Sequence, residues 1–217
     1  MKIDIKKAER GKKYKSAYIH AIFPTPVYQT YLDRPITQAE INYMNKVSKL
    51  LQKNTGNTVS TSKSVLKGKP LKNLEKFFME HIGNYFDEVI NTTDKVKPYI
   101  TMSWLNYARE DEYHHVHEHE NSMVSGVFYV SADEKYDSIR LYKTGYQQIK
   151  PSVKDYNLWN STSWYVPVST GKLVLFPSWL SHSVDRKKGK NIRISLAFNV
   201  FFKGTIGSEF NITKLEL

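Results

Sequence analysis

Residues 191–202 read "NIRISLAFNVFF", and their two-residue rhythm decides what kind of fold this chain makes. On an extended backbone alternate side chains point to opposite faces. Ile192, Ile194, Leu196, Phe198 and Val200 then share one face, apolar enough to be covered by helices, while Arg193, Ser195, Ala197 and Asn199 share the other. The second set is too small and polar to fill a core, yet the neighbouring segments are too apolar for a fully solvated sheet. A lined cavity meets both conditions. Arg193 inside it requires an anionic partner, because an unpaired buried guanidinium is strongly destabilising. A structural Asp or Glu and an anionic ligand both qualify.

Outward from this segment the strand rhythm continues upstream. Short apolar or alternating runs at 98–107, 122–130, 138–144, 163–168, 171–177 and 180–184 are bounded by Gly, Pro, Asn and Asp clusters. Ahead of them the rhythm is helical. Thr37 and Glu40 have the spacing of a capping box, and Ile41, Met44, Val47, Leu50 and Leu51 extend a helix to about residue 52. A polar loop is expected at 53–70, then a second amphipathic helix through Leu71, Leu74, Phe78, Ile82, Tyr85 and Val89. The stretch 18–32 reads as a strand broken by Pro24 and Pro26. Seven strands after two helices predict a mainly β fold, a sandwich or barrel with the helices packed outside one sheet.

The 217 residues suit one domain, expected over 17–217 behind a basic tail at 1–16. Cysteine is absent, which excludes disulfides, thiolate metal sites and a cysteine nucleophile. No run of eighteen apolar residues and no apolar leader core occur, so a cytoplasmic chain, without membrane insertion, is expected. The net charge of +11 makes contact with a polyanion such as nucleic acid a fair suspicion. Much of that excess sits in the tail and in "RKKGK" at 186–190, and a solvated face is the ordinary reading of a charge run.

The remaining signal is histidine. Residues 114–130 read "HHVHEHENSMVSGVFYV", with four of the seven histidines in the first six positions. His182 stands in the apolar run "GKLVLFPSWLSHSV", eleven residues before Arg193. Imidazole nitrogens bind transition metals, and two residues separated by one on an extended chain face the same side, so His117 and His119 can grip one ion with His182 as a third ligand. A pairing of His115 with His117 is equally regular and stays open.

Taken in order, "FPTPVY", "SWLNYARE", "HEHENSMVSGVFYV", "LVLFPSWLSHSV" and "RISLAFN" resemble the 2-oxoglutarate/Fe(II)-dependent oxygenase superfamily, in particular its phage-type branch. The resemblance runs from about residue 20 to 200. It implies a double-stranded β-helix, or jelly roll, with Fe(II) as cofactor, 2-oxoglutarate as co-substrate and O₂. The implied reaction couples oxidative decarboxylation of 2-oxoglutarate to C–H oxidation of another molecule. On this chain it implies His117, His119 and His182 as metal ligands, Arg193 as the clamp on the distal carboxylate of 2-oxoglutarate, and Tyr129 as a phenolic partner. Asn106 and Asn199 are read as facing the cavity, and Trp104, Phe176 and Trp179 as core or pocket wall.

One departure from the superfamily is plain. Its usual ligand set is His-x-Asp/Glu with a distal His, whereas none of His114, His115, His117 or His119 is followed two residues later by a carboxylate. Glu118 or Glu120 is then expected to act by orienting an imidazole. A three-histidine jelly-roll dioxygenase that does not use 2-oxoglutarate explains the histidines but gives Arg193 no task. A non-catalytic metal- or nucleic-acid-binding jelly roll explains the fold and the charge but gives no purpose to the polar inner face. Residues 144–162 read as a lid over the site or as a surface loop.

Overall fold

The computed structural model describes residues 19–145, 149 and 151–217. Twelve strands are described: β1 Tyr28–Tyr31, β2 Leu51–Asn54, β3 Asn57–Ser60, β4 Val96–Ala108, β5 His114–His117, β6 Val124–Ser131, β7 Ser138–Tyr142, β8 Ser163–Pro167, β9 Lys172–Pro177, β10 His182–Val184, β11 Arg193–Ile206 and β12 Leu215–Glu216. They form two antiparallel sheets. The larger runs β1-β9-β6-β11-β4-β3-β2 with β12 added to β11, and the smaller runs β5-β10-β7-β8. Face to face, they make the jelly roll. The expected basic tail at 1–16 lies outside the described residues.

Two helices cover the larger sheet. Helix α1, Gln38–Val47, starts with the anticipated capping box: Glu40 N–H donates to Thr37 Oγ1 at 3.3 Å and Thr37 N–H to Glu40 Oε2 at 2.7 Å. Arg34 holds the same buried carboxylate through two bonds, 2.6 and 2.9 Å long. Helix α2, Lys72–Tyr85, buries Leu74, Phe78, Ile82 and Tyr85 and runs into a π-helical turn, Phe86–Ile90.

Two expectations fail in this region. Helix α1 ends at Val47, not near residue 52, because Leu51 belongs to β2. The expected loop at 53–70 instead opens with the hairpin β2–β3, which turns at Gly56 with φ +84, a backbone state open to glycine. Its strand character is hidden by polar side chains that serve the sheet; Ser60 Oγ, for example, accepts a bond from Leu105 N–H at 3.1 Å.

Strand β11 is the central rib, and its faces divide as its sequence predicts. Leu196, Phe198 and Val200 lie in the core under the helices, with the Phe198 ring stacked on Phe78 at 4.9 Å. Gly126 stands opposite Phe198 on β6, where any side chain would collide with that ring. The other face looks between the sheets. A second core, of Tyr129, Ile139, Leu141, Val166, Val168, Val174, Phe176 and Leu180, fills part of that space. The inner face is therefore half packed, with its polar members set among apolar walls.

Candidate active site

The smaller sheet assembles the histidines. His117 at the end of β5 is paired across the ladder with His182 at the start of β10, and their ring centroids are 4.2 Å apart. His119 follows two residues on, its backbone N–H donating to Ser178 O at 3.0 Å, and its ring lies 5.1 Å from each of the other two. One ring nitrogen from each of His117, His119 and His182 comes within 4.8 Å of the others. A bulge also turns His114 inward: β10 pairs His182 with His117 but Val184 with His114, so the His114 ring sits 4.3 Å from that of His117. His115 Nδ1 is buried without a hydrogen-bond partner among the described residues.

Backbone carbonyls set two of the ring tautomers. His117 Nδ1 lies 2.8 Å from His115 O and His182 Nδ1 lies 2.9 Å from Leu180 O. A carbonyl only accepts, so each Nδ1 carries the proton and each Nε2 keeps its lone pair. The expectation that Glu118 or Glu120 orients an imidazole is corrected here. Glu118 accepts instead from Ser181 Oγ, and both glutamates are exposed. Backbone carbonyls do the orienting because each lies two residues back along the chain, His115 O within β5 and Leu180 O just ahead of β10.

Burial keeps the cluster neutral. Loss of solvent brings His119 down to about 4 and His182 to about 3, with repulsion from a charged His117 adding to both. His117 is lowered as well, chiefly by burial, against the pull of the His115 carbonyl and Glu118. His114 falls to about 2, through burial first and then its histidine neighbours and Arg193. Three neutral imidazoles converging on one point are a donor set suited to a divalent transition metal. No carboxylate joins them among the described residues.

On the larger sheet, at the start of β11, stands Arg193, 5% exposed. Ser195, two residues on, lies between Asn106 of β4 and Tyr129 of β6. Burial lowers the Arg193 pKa, while Tyr129 and Asp137 raise it; burial also raises the Tyr129 phenol, which stays protonated at neutral pH. Asp137 Oδ1 is 3.7 Å from Arg193 Nη1, an ion pair without a hydrogen bond. Asn106 Oδ1 and Asn199 Oδ1 are both buried with no partner among the described residues, as suits groups facing a ligand space. The Phe176 ring lies 4.8 Å from His182 and Trp104 lies 5.7 Å from His119, so both wall the site, whereas Trp179 is 55% exposed. Two clefts, of about 500 and 290 Å³, lie elsewhere and touch neither the histidine cluster nor Arg193.

The fold has many solved counterparts. An oxidoreductase of the 2OG-Fe(II) oxygenase family from Burkholderia pseudomallei superposes with a TM-score of 0.54 at 12% identity, over 79% of this chain and 83% of that one. HygX from Streptomyces hygroscopicus, with nickel, 2-oxoglutarate and hygromycin B bound, gives 0.55 at 12%, over 81% and 82%. A Pseudomonas putida prolyl-4-hydroxylase gives 0.52 at 12%, over 81% and 92%. Such low identities speak for the fold alone. No curated protein gives a significant sequence match. Residues 102–199, from β4 to β11, match the family model described as "Putative 2OG-Fe(II) oxygenase", a span that contains the three histidines, Tyr129 and Arg193.

Over that span, a little under half of the chain, the protein is similar to the 2-oxoglutarate/Fe(II)-dependent oxygenases. Members of that family are oxidoreductases that use Fe(II), 2-oxoglutarate and O₂. Sequence reasoning missed two residues beside Arg193. Asp137 lies just before β7; the sequence demands an anionic partner for Arg193 but does not single out this residue. Lys187 reads in sequence as part of a solvated charge run, yet its side chain has no solvent exposure. Of the suspected lid, Tyr146, Gln147, Gln148 and Lys150 lie outside the described residues, and the described part of 151–162 is mostly exposed.

Proposed function

We propose that this protein is a 2-oxoglutarate/Fe(II)-dependent oxygenase of the hydroxylase type, with His117, His119 and His182 holding Fe(II), and Arg193 and Tyr129 receiving the distal carboxylate of 2-oxoglutarate. The observation that carries the reading is the pairing, between the two sheets, of three convergent neutral imidazoles on the smaller sheet with a buried guanidinium on the larger one that has no hydrogen-bond partner among the described residues. When bound, Fe(II) supplies the redox chemistry by which O₂ and 2-oxoglutarate yield succinate, CO₂ and an oxidised substrate.

The chain's own groups define the rest. Arg193 offers a planar fork matched to a carboxylate, a geometry that lysine does not reproduce. Tyr129, kept as a neutral phenol by its burial, donates beside it. Asn106 and Asn199 add buried carbonyl oxygens with no hydrogen-bond partner among the described residues. Phe176, Val174 and Leu141 exclude water, which strengthens every polar contact made there.

A second reading rests on one observation, the absence of a carboxylate from the ligand group. It is a three-histidine dioxygenase that does not consume 2-oxoglutarate. Anaerobic titration with Fe(II) and then 2-oxoglutarate separates the two. A weak visible charge-transfer band that decays on admitting O₂, with succinate formed, supports the hydroxylase. Iron binding without the band favours the second reading, and no iron binding defeats both.

A further inference from the structure

Beside Arg193 lies a buried charge cluster that metal binding does not use. Asp137 Oδ1 accepts from Lys187 Nζ at 3.1 Å, and Asp137 Oδ2 accepts from Asp133 N–H at 2.9 Å and Asn191 Nδ2 at 3.3 Å. Lys187 Nζ also donates to Asn191 Oδ1 at 2.9 Å. The side chains of Lys187 and Asp137 are both fully buried. Lys187 is held in place by its backbone: its N–H donates to Glu112 O at 2.9 Å and its carbonyl accepts from Asp111 N–H at 2.9 Å. The β10–β11 loop is thereby stitched to the loop that leads into the histidine strand.

The charges decide what this arrangement does. A buried carboxylate next to an arginine ordinarily forms a bidentate pair with it and uses up its donors. Here Asp137 is already engaged by Lys187, Asn191 and the Asp133 amide, and Arg193 stays at 3.7 Å, outside hydrogen-bond distance. Two buried cations and one anion leave a single positive charge, matched to a single carboxylate. We infer that Lys187 and Asp137 are positioning residues: Lys187 occupies Asp137 so that the Arg193 fork remains free for the distal carboxylate of the co-substrate. The inference rests on the proposed role of Arg193.

The test is calorimetric binding to the anaerobic Fe(II) protein of two keto acids, 2-oxoglutarate and 2-oxovalerate, which carries a methyl group where the distal carboxylate would be. The ratio of their affinities reads recognition of that carboxylate alone. If wild type shows no preference, or Arg193→Gln leaves the preference intact, the role of Arg193 fails before Lys187 is reached. With that role standing, Lys187→Met lowers the ratio by about tenfold or more, because Asp137 then competes for Arg193. Asp137→Asn with Lys187→Met restores it, since one net positive charge returns. Equal weakening toward both ligands in Lys187→Met, or no recovery in the double variant, overturns the inference. Should Lys187→Met not fold, Asp137→Asn decides. With the competitor neutralised the ratio holds or rises, and a collapse overturns the inference.

Discussion

His117 and His182 face each other across the β5–β10 pair and are fixed in the same way, each donating its Nδ1 proton to the carbonyl two residues before it. Two short strands thus present two Nε2 lone pairs at one point before any metal arrives. Replacing His182 by Ala removes one of three donors and leaves the β10 pairing intact. The expected result is loss of Fe(II) binding by at least a hundredfold, with an unchanged circular dichroism spectrum. Unfolding with metal affinity preserved in the folded fraction assigns His182 a structural role.

The same burial predicts acid sensitivity of the metal-free protein. His114, His117, His119 and His182 titrate lower when folded than the ordinary histidine value near 6.5. Below pH 6.5 the unfolded chain therefore binds more protons than the folded one. Stability is fully present above about pH 6.5 and declines as pH falls toward the folded values of about 4 for His119 and 3 for His182. Each such histidine contributes up to about 1.4 kcal/mol per pH unit. Urea unfolding of the apoprotein from pH 7 to 4 should show uptake of more than one proton. A flat profile over that range contradicts the buried, neutral cluster.

Arg193→Lys keeps the charge and loses the fork. A charge-assisted hydrogen bond contributes about 1.5–3 kcal/mol, so KM for 2-oxoglutarate should rise roughly ten- to hundredfold, with a smaller change in kcat. An unchanged KM removes Arg193 from the co-substrate site.

The helix-covered face of β11 should behave as core alone. Phe198→Ala deletes a fully buried ring stacked on Phe78 and is expected to cost about 3–5 kcal/mol in chemical denaturation. Fe(II) affinity of the folded protein should not move, because Phe198 points away from the histidines. A loss of iron binding without a loss of stability would contradict the two-faced reading of this strand.

That division of β11 was readable from alternation alone, since apolar residues at every second position leave few ways to face a sheet. The histidine trio was readable because 117 and 119 obey the same rule and His182 interrupts an apolar run. The β2–β3 hairpin was not, because Asn57 and Ser60 are polar residues whose burial is compensated by hydrogen bonds that form only in the folded hairpin and against β4. Lys187 escaped for a related reason. In sequence it is one cation among five basic or small residues, and only the approach of Asp137, fifty positions earlier, makes it internal.

His119→Asp tests the unusual ligand set directly, by giving this chain the His-x-Asp spacing of the wider superfamily. The position is backbone-fixed by the Ser178 carbonyl, so the shorter side chain starts from the same point. If residue 119 is a ligand, the variant retains Fe(II), and the added negative charge strengthens binding of the cation while changing the charge-transfer spectrum with 2-oxoglutarate. If residue 119 lies outside the ligand set, iron affinity and spectrum stay as in wild type, and the third imidazole is then sought at His115, whose Nδ1 is buried and unpartnered among the described residues. The His115→Ala variant completes the comparison: it should bind iron normally in the first case and fail to do so in the second.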